Sequence, residues 1–237
     1  MNLNTSTALV TGAGRGIGKS LALKLAAEGV KVVLTARTRS ELEAVKTEIE
    51  LTGGKAEVLP ADLTKDSDIE RLFLEFGNRN KRLDILVNNA GIGVFAPVRE
   101  LKIADFDAMW NLNMRAVMIC TQRALRIMEP QNSGAIVNVA SLAGKNAFVG
   151  GAGYGATKWA LIGFARSLML EVRDRHIRVV TICPGSVDTS FSSSSREPSR
   201  SVTILHPDDV TEAVLAALRL PERAMVSEID IRPTNPK

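Results

Sequence analysis

Tyr154 is the single tyrosine of this 237-residue chain, and Lys158 follows it four positions later. On a helix, positions i and i+4 share one face, which would set a phenol beside an ammonium. A free phenol, with a pKa near ~10, is a poor acid-base group at neutral pH. A cation about 4 Å away, at an effective dielectric of about 20, is worth about 4 kcal/mol, or roughly 3 pKa units toward the phenolate. The spacing therefore predicts a tyrosine whose pKa is lowered by Lys158 and which passes a proton near pH 7. The same spacing also suits a solvated tyrosine and lysine on an ordinary helix, so the residues upstream decide between the two.

Near the N-terminus, Gly12, Gly16 and Gly18 follow a short apolar run and precede a stripe of apolar residues at helical spacing. Bare backbone amides at such a strand-to-helix turn cradle an anion such as a pyrophosphate. The spacing is not G-x-G-x-x-G, because Ile17 stands where that pattern, started at Gly12, needs its last glycine. An acid at the end of the second strand would bind the adenosine ribose of NAD. That stretch here is Thr35, Ala36, Arg37 and Thr38, with no acid. Arg37 and Arg15 instead match a 2′-phosphate, which guanidinium binds in a planar fork. NADP(H) is expected over NAD(H). Alternatively, Arg37 is a solvated strand end.

These groups need a scaffold, and the rest of the chain supplies the pattern for one. Apolar runs read as strands at residues 7–10, 31–36, 56–59, 83–87, 135–139, 177–182 and 225–231. Helical patterns lie between them at residues 19–28, 41–51, 66–76, 105–128, 153–173 and 208–218. Gly29 reads as a helix stop, Ser40 with Glu43 as a capping box, Pro130 as the end of the fourth helix, and Pro207 as the start of the last. Strict alternation of strand and helix predicts a single-domain, Rossmann-type α/β fold: a doubly wound parallel sheet of about seven strands, covered on both faces. Six serines fall among the eleven residues 190–200, and this segment after a strand end reads either as a substrate lid, at about 189–206, or as a plain surface loop.

Composition narrows the function classes. Hydrophobic residues make up 45% and aromatics only 4%, so aliphatic side chains must fill the core. No apolar run reaches the ~18 residues of a bilayer span, and residues 1–7 carry no secretory pattern, so neither membrane nor export is expected. Asn4, Thr5 and Ser6 form a glycosylation sequon that has no role without secretion. Cys120 and Cys183 have no metal or redox spacing, which predicts no metal, buried thiols and a cytoplasmic setting. His176 and His206 fall at helix ends and read as structural. The net charge of +4, with basic residues such as Arg173, Arg175 and Arg178 interrupted by acids, favours an anionic ligand. No interleaved aromatics supply stacking platforms, so nucleic acid is not expected.

Taken in order along nearly the whole chain, these motifs resemble the short-chain dehydrogenase/reductase family. Thr11 with Gly12, Gly16 and Gly18 matches that family's cofactor turn, Asp62-Leu63 its adenine contact, and Asn88-Asn89-Ala90-Gly91 the motif after the fourth strand. Asn113, Ser141, Tyr154 and Lys158 match its catalytic tetrad in order and spacing, and Pro184-Gly185, with Val187 and Thr189, the turn that meets the nicotinamide. The resemblance implies that Tyr154 protonates a carbonyl oxygen as hydride arrives. Lys158 would tune Tyr154 and hold the nicotinamide ribose, Ser141 would bond the substrate oxygen, and Asn113 would hold a water linking Lys158 to solvent. It also implies a homo-oligomer, tetramer or dimer, assembled through the helices at 105–128 and 153–173.

Substrate identity is less sharply written. Much of the chain is similar to NADPH-dependent 3-oxoacyl-[acyl-carrier-protein] reductases, which implies a 3-oxoacyl thioester or small ketone as substrate. Two features depart from them: the ending from Glu228 to Pro233 lacks a Gly-Gly tail, and Asn132 stands where a second basic residue beside Arg175 would meet an acidic carrier. A small hydroxy acid or a pterin-like carbonyl is the alternative, and a non-catalytic dinucleotide-binding sensor a more distant one. Phe95, Phe148, Val149 and Phe191 are candidates for an apolar pocket wall, or for core packing.

Overall fold

A computed structural model of the chain describes residues 2–192 and 204–234. Its strands are β1 (Thr7–Thr11), β2 (Lys31–Thr35), β3 (Lys55–Val58), β4 (Ile85–Asn88), β5 (Gly134–Val139), β6 (Ile177–Pro184) and β7 (Glu228–Ile231). They form one seven-stranded sheet in the order β3-β2-β1-β4-β5-β6-β7, with every pairing parallel. The helices are α1 (Gly16–Ala27), α2 (Arg39–Leu51), α3 (Asp66–Arg79), α4 (Ile103–Trp110), α5 (Ala116–Gln131), α6 (Ala152–Val172) and α7 (Pro207–Arg219). This is the doubly wound α/β architecture expected.

Successive strand side chains point to opposite faces, so each strand feeds two cores. Ala8 and Val10 of β1 join Val32, Leu34, Val137 and Ile182 against α1, α2 and α7. Leu9, between them, joins Val33, Leu86 and Ile136 against Leu72 and Phe76 of α3, Ala124 of α5 and Leu168 of α6. Burial on both faces is why the strands read as continuous aliphatic runs rather than as alternating patterns.

Several boundaries differ from expectation, each for a local reason. The glycine turn itself supplies the first turn of α1, which begins at Gly16 instead of residue 19. Helix α2 starts at Arg39 with Thr38 as N-cap and no side-chain cap bond, so the Ser40–Glu43 capping box does not form; Glu43 pairs with Arg39 at 3.2 Å instead. The pattern at 105–128 is two helices joined by a π-helical turn, Asn111–Arg115. Pro130 does not end α5. It sits in the last turn, where it removes one donor, and the stop comes at Asn132, left-handed with φ 52. The final strand is shorter than expected, beginning at Glu228.

Other expectations held. Gly29 is left-handed at φ 85 after α1, and His176 and His206 sit at helix ends, the latter capped through Asp209 at 2.7 Å. Cys120 and Cys183 are buried, and burial pushes their thiols up to about 12 and about 11. Residues 193–203, most of the expected lid, lie outside the described residues. Among the described residues, no helix is long and apolar enough to cross a membrane.

Candidate active site

The chain leaves β3 at one edge of the sheet and re-enters at β4, on the other side of β1. Such a switch point opens a crevice at the carboxyl ends of the strands. A cleft of about 720 Å³ lies there, lined from Gly12 at one side to Phe191 at the other.

The glycine turn forms one wall. Gly12 and Gly16 have φ of +64 and +56, a conformation that glycine adopts without strain. Gly18 is buried behind the turn and does not line the cleft; a Cβ there would stand 2.2 Å from the Gly12 carbonyl oxygen. Thr11 at the end of β1 anchors the turn to β4. Its hydroxyl donates to Val87 O (3.0 Å) and accepts from the amides of Asn89 (2.9 Å) and Ala90 (3.0 Å). The Asn89 side-chain amide donates back to Thr11 O and Gly12 O at 2.9 and 3.2 Å. Asn89 therefore borders the cleft and also fixes its shape.

Charged groups gather at one end, after β1, β2 and β3: Arg15, Arg37, Glu41 and Asp62, with Thr38, Leu63 and Thr64 between them. Neither Arg15 nor Arg37 makes a hydrogen bond or ion pair among the described residues, although most other arginines do. Burial works to raise the Asp62 carboxyl. Hydrogen bonds from Thr64, with Lys65 and Arg37 nearby, hold it below the usual carboxylate range instead. Two unpaired guanidiniums beside a recess too tight for side chains fit a phosphorylated dinucleotide.

The other end lies after β4, β5 and β6. Ser141 follows β5; its Oγ accepts from the Ala143 amide at 3.1 Å, and it lies near enough to the Tyr154 hydroxyl to act on its pKa. Helix α6 carries both Tyr154 and Lys158, buried at 7% and 5% exposure. The Lys158 Nζ donates to Val139 O at 2.9 Å and lies 5.8 Å from the centre of the tyrosine ring. This corrects the expected lowering of the Tyr154 pKa. Burial pushes the phenol up to about 12, with Ser141 acting against it, and burial lowers Lys158 to about 8. The two groups are close, but desolvation outweighs their mutual effect because both are enclosed and the ammonium is aimed at a backbone carbonyl of β5.

Asn113 lies in the π-helical turn and is buried away from the cleft wall. Its Oδ1 accepts from Ile92 N at 2.9 Å, and its Nδ2 donates to Ile92 O at 2.8 Å and Thr157 Oγ1 at 3.1 Å. Thr157 donates in turn to Tyr154 O at 2.8 Å. Asn113 thus ties the loop after β4 to the first turns of α6, and its side chain is fully engaged within the protein. Thr157 and Glu41 were not expected at the site from sequence. Thr157 was legible as a polar residue on the buried face of α6, whereas Glu41 reads only as a helix-start acid.

Pro184, Gly185, Val187 and Thr189 close the third wall, the Gly185 amide donating to Ile231 O at 2.9 Å. Thr189 reaches across to the turn, within 3.1 Å of where a Cβ on Gly16 would lie. Above Tyr154 stand Phe95 and Phe191, with ring centres 5.3 and 5.8 Å from the tyrosine ring, and Phe148 lies 5.9 Å from Phe95. Val149 does not join this wall. It is 95% exposed, turned outward just before left-handed Gly150.

A family model described as short chain dehydrogenase matches residues 6–200. The chain belongs to the short-chain dehydrogenase family. This short-chain dehydrogenase is 33% identical over 231 residues, 98% of both chains, to an uncharacterized oxidoreductase of Staphylococcus aureus (strain USA300). It is 37% identical over 193 residues, 81% of this chain and 78% of the other, to a 3-oxoacyl-[acyl-carrier-protein] reductase of Synechocystis sp.. Among solved structures, it is similar to a metagenomic short-chain oxidoreductase in complex with NADP, with TM-score 0.87, 36% identity and 99% and 100% of the two chains covered. It is also similar to a 3-ketoacyl-(acyl-carrier-protein) reductase from Brucella melitensis complexed with NADH, with TM-score 0.89, 30% identity and 97% and 98% covered. As a short-chain dehydrogenase, the protein is an oxidoreductase acting on a small molecule.

Proposed function

We propose that this protein is an NADPH-dependent reductase that converts a carbonyl to a secondary alcohol, with Tyr154 as general acid. The observation that carries this reading is that Tyr154, Ser141 and Lys158 line one cleft together with the glycine turn. A phenol held near pKa 12 by burial stays protonated at neutral pH, which is the form a carbonyl reduction consumes.

The residues divide the work along the cleft. Gly12, Gly16 and Ile17 offer the α1 N-terminus to a pyrophosphate, with Gly18 giving the turn its close packing. Arg15 and Arg37 take the 2′-phosphate, while Asp62 and Leu63 border the adenine. Asn89, Ala90, Gly91, Pro184, Gly185, Val187 and Thr189 enclose the nicotinamide end. When bound, NADPH supplies the hydride. Ser141 donates to the substrate oxygen as negative charge develops there. Tyr154 then gives its proton to that oxygen, and Lys158, one helical turn away, stabilises the phenolate and holds the nicotinamide ribose. Asn113 positions α6 against the loop after β4. The preference for NADP(H) rests on Arg15 and Arg37 making no ion pair among the described residues and on the absence of an acid at the end of β2.

The name of the Synechocystis relative and the apolar wall above Tyr154 support a 3-oxoacyl thioester or a small ketone as substrate. Two buried, unpaired cysteines suit the cytoplasm. Trp110, Trp159 and Leu170, exposed on α4 and α6, suit a dimer or tetramer built on those helices, which light scattering tests. The test of the reaction is NADPH oxidation with a panel of ketones and acetoacetyl thioesters. Saturable NADPH binding with no turnover of any carbonyl would make the protein a cofactor sensor instead.

A further inference from the structure

The two halves of the cleft differ in charge. Arg15, Arg37, Glu41 and Asp62, four of the five charged side chains that line it among the described residues, stand after β1, β2 and β3. In the half beyond Tyr154 the fifth, Lys158, is buried with its ammonium on Val139 O. The remaining polar side chains there are hydroxyls and amides, among them Ser141 and Asn146. Among the described residues, a substrate carboxylate placed against Ser141 would lose its water without meeting an exposed cation, which is costly.

What that half does offer is aromatic surface. Phe95, Phe148 and Phe191 are 45%, 48% and 41% exposed, large rings left bordering a cleft rather than packed into a core. Phe95 meets the Tyr154 ring edge-on at 72°, and Phe191 meets it tilted at 56°. Phe191 is seated directly on backbone, since a Cβ on Gly93 would lie 2.9 Å from its ring. Rings at such angles leave faces and edges open to a further flat group.

We propose that the substrate is an uncharged carbonyl compound bearing an aryl or similarly flat apolar group beside the reacting carbon, held among Phe95, Phe148 and Phe191. This rests on the reductase reading above. The test is kcat/KM of the full chain with NADPH for four ketones: ethyl benzoylformate, benzoylformate, ethyl pyruvate and pyruvate. The expected result is a preference for ester over carboxylate and for phenyl over methyl, each on the order of tenfold or more. Phe148→Leu, at a half-exposed ring outside the core, is expected to narrow the phenyl-over-methyl ratio. If carboxylates are reduced as well as their esters, or methyl ketones as well as phenyl ketones, the proposal is overturned while the reductase reading stands. If none of the four is reduced although NADPH binds saturably, the proposal is overturned, and the reductase reading falls with it only where acetoacetyl thioesters are not reduced either.

Discussion

Lys158 and Tyr154 sit one turn apart on α6, and the lysine Nζ lies 5.8 Å from the tyrosine ring centre while donating to Val139 O. The pair is a buried acid and a buried base, each pushed toward its neutral form. That arrangement has consequences for stability as well as for catalysis.

The first concerns pH. Burial lowers Lys158 to about 8 from 10.5, so between those values the unfolded chain holds more protons than the folded one. Stability through this group therefore rises with pH across that window. Tyr154, raised from 10 to about 12, acts in the opposite sense, lowering stability as pH rises through that higher range. Lys158→Met removes the buried ammonium, so its stability relative to wild type should be greatest near neutral pH and shrink toward pH 10.5, by on the order of 3 kcal/mol. Urea unfolding of both proteins at several pH values measures the difference. A pH-independent difference would mean that Lys158 is not held at a depressed pKa.

Tyr154→Phe leaves the ring and its contacts with Phe95 and Phe191 in place and removes the hydroxyl alone. Carbonyl reduction should fall by about 100-fold or more. NADPH affinity, read by fluorescence titration, should stay nearly unchanged. Substantial residual reductase activity would assign the acid role elsewhere.

Among the described residues Arg37 and Arg15 make no ion pair to disrupt, so their removal should act chiefly on a bound anion. Arg37→Ala is expected to weaken NADPH binding by roughly tenfold or more, the worth of a charge-assisted contact. NADH binding should be unaffected. Parallel loss for both cofactors would refute a 2′-phosphate site.

Two glycines predict opposite outcomes for the same substitution. Gly18→Ala drives a Cβ to 2.2 Å from the Gly12 carbonyl, a backbone clash that no side-chain rotation relieves. It should cost about 1–3 kcal/mol and cofactor binding with it. Gly77→Ala, on α3 with nothing within 4 Å, should stabilise by roughly 0.5–1 kcal/mol. Thermal denaturation of the two variants checks the sign of each.

Much of this was written locally. Aliphatic runs in strict alternation with helical stripes state a parallel sheet covered on both faces, because burial on both sides leaves no polar face to write. The glycine turn, the motif from Asn88 to Gly91, and the order of Ser141, Tyr154 and Lys158 are likewise short-range patterns set by strand ends and one helix. Helix starts and stops were less legible. The Ser40–Glu43 box lost to an earlier start at Arg39, and the stop expected at Pro130 moved to Asn132, because such signals compete within a few residues and packing selects among them.

The sequence by itself determined the fold and the family, since periodicity and motif order need no distant contact to be read. Only the tertiary structure decided what those side chains experience. Lys158 faces a β5 carbonyl, Asn113 spends its amide on Ile92 and Thr157, Val149 leaves the wall, and four of the five charged side chains lining the cleft among the described residues stand at one end. Desolvation and hydrogen-bond partners depend on neighbours far along the chain, and spacing carries no record of them.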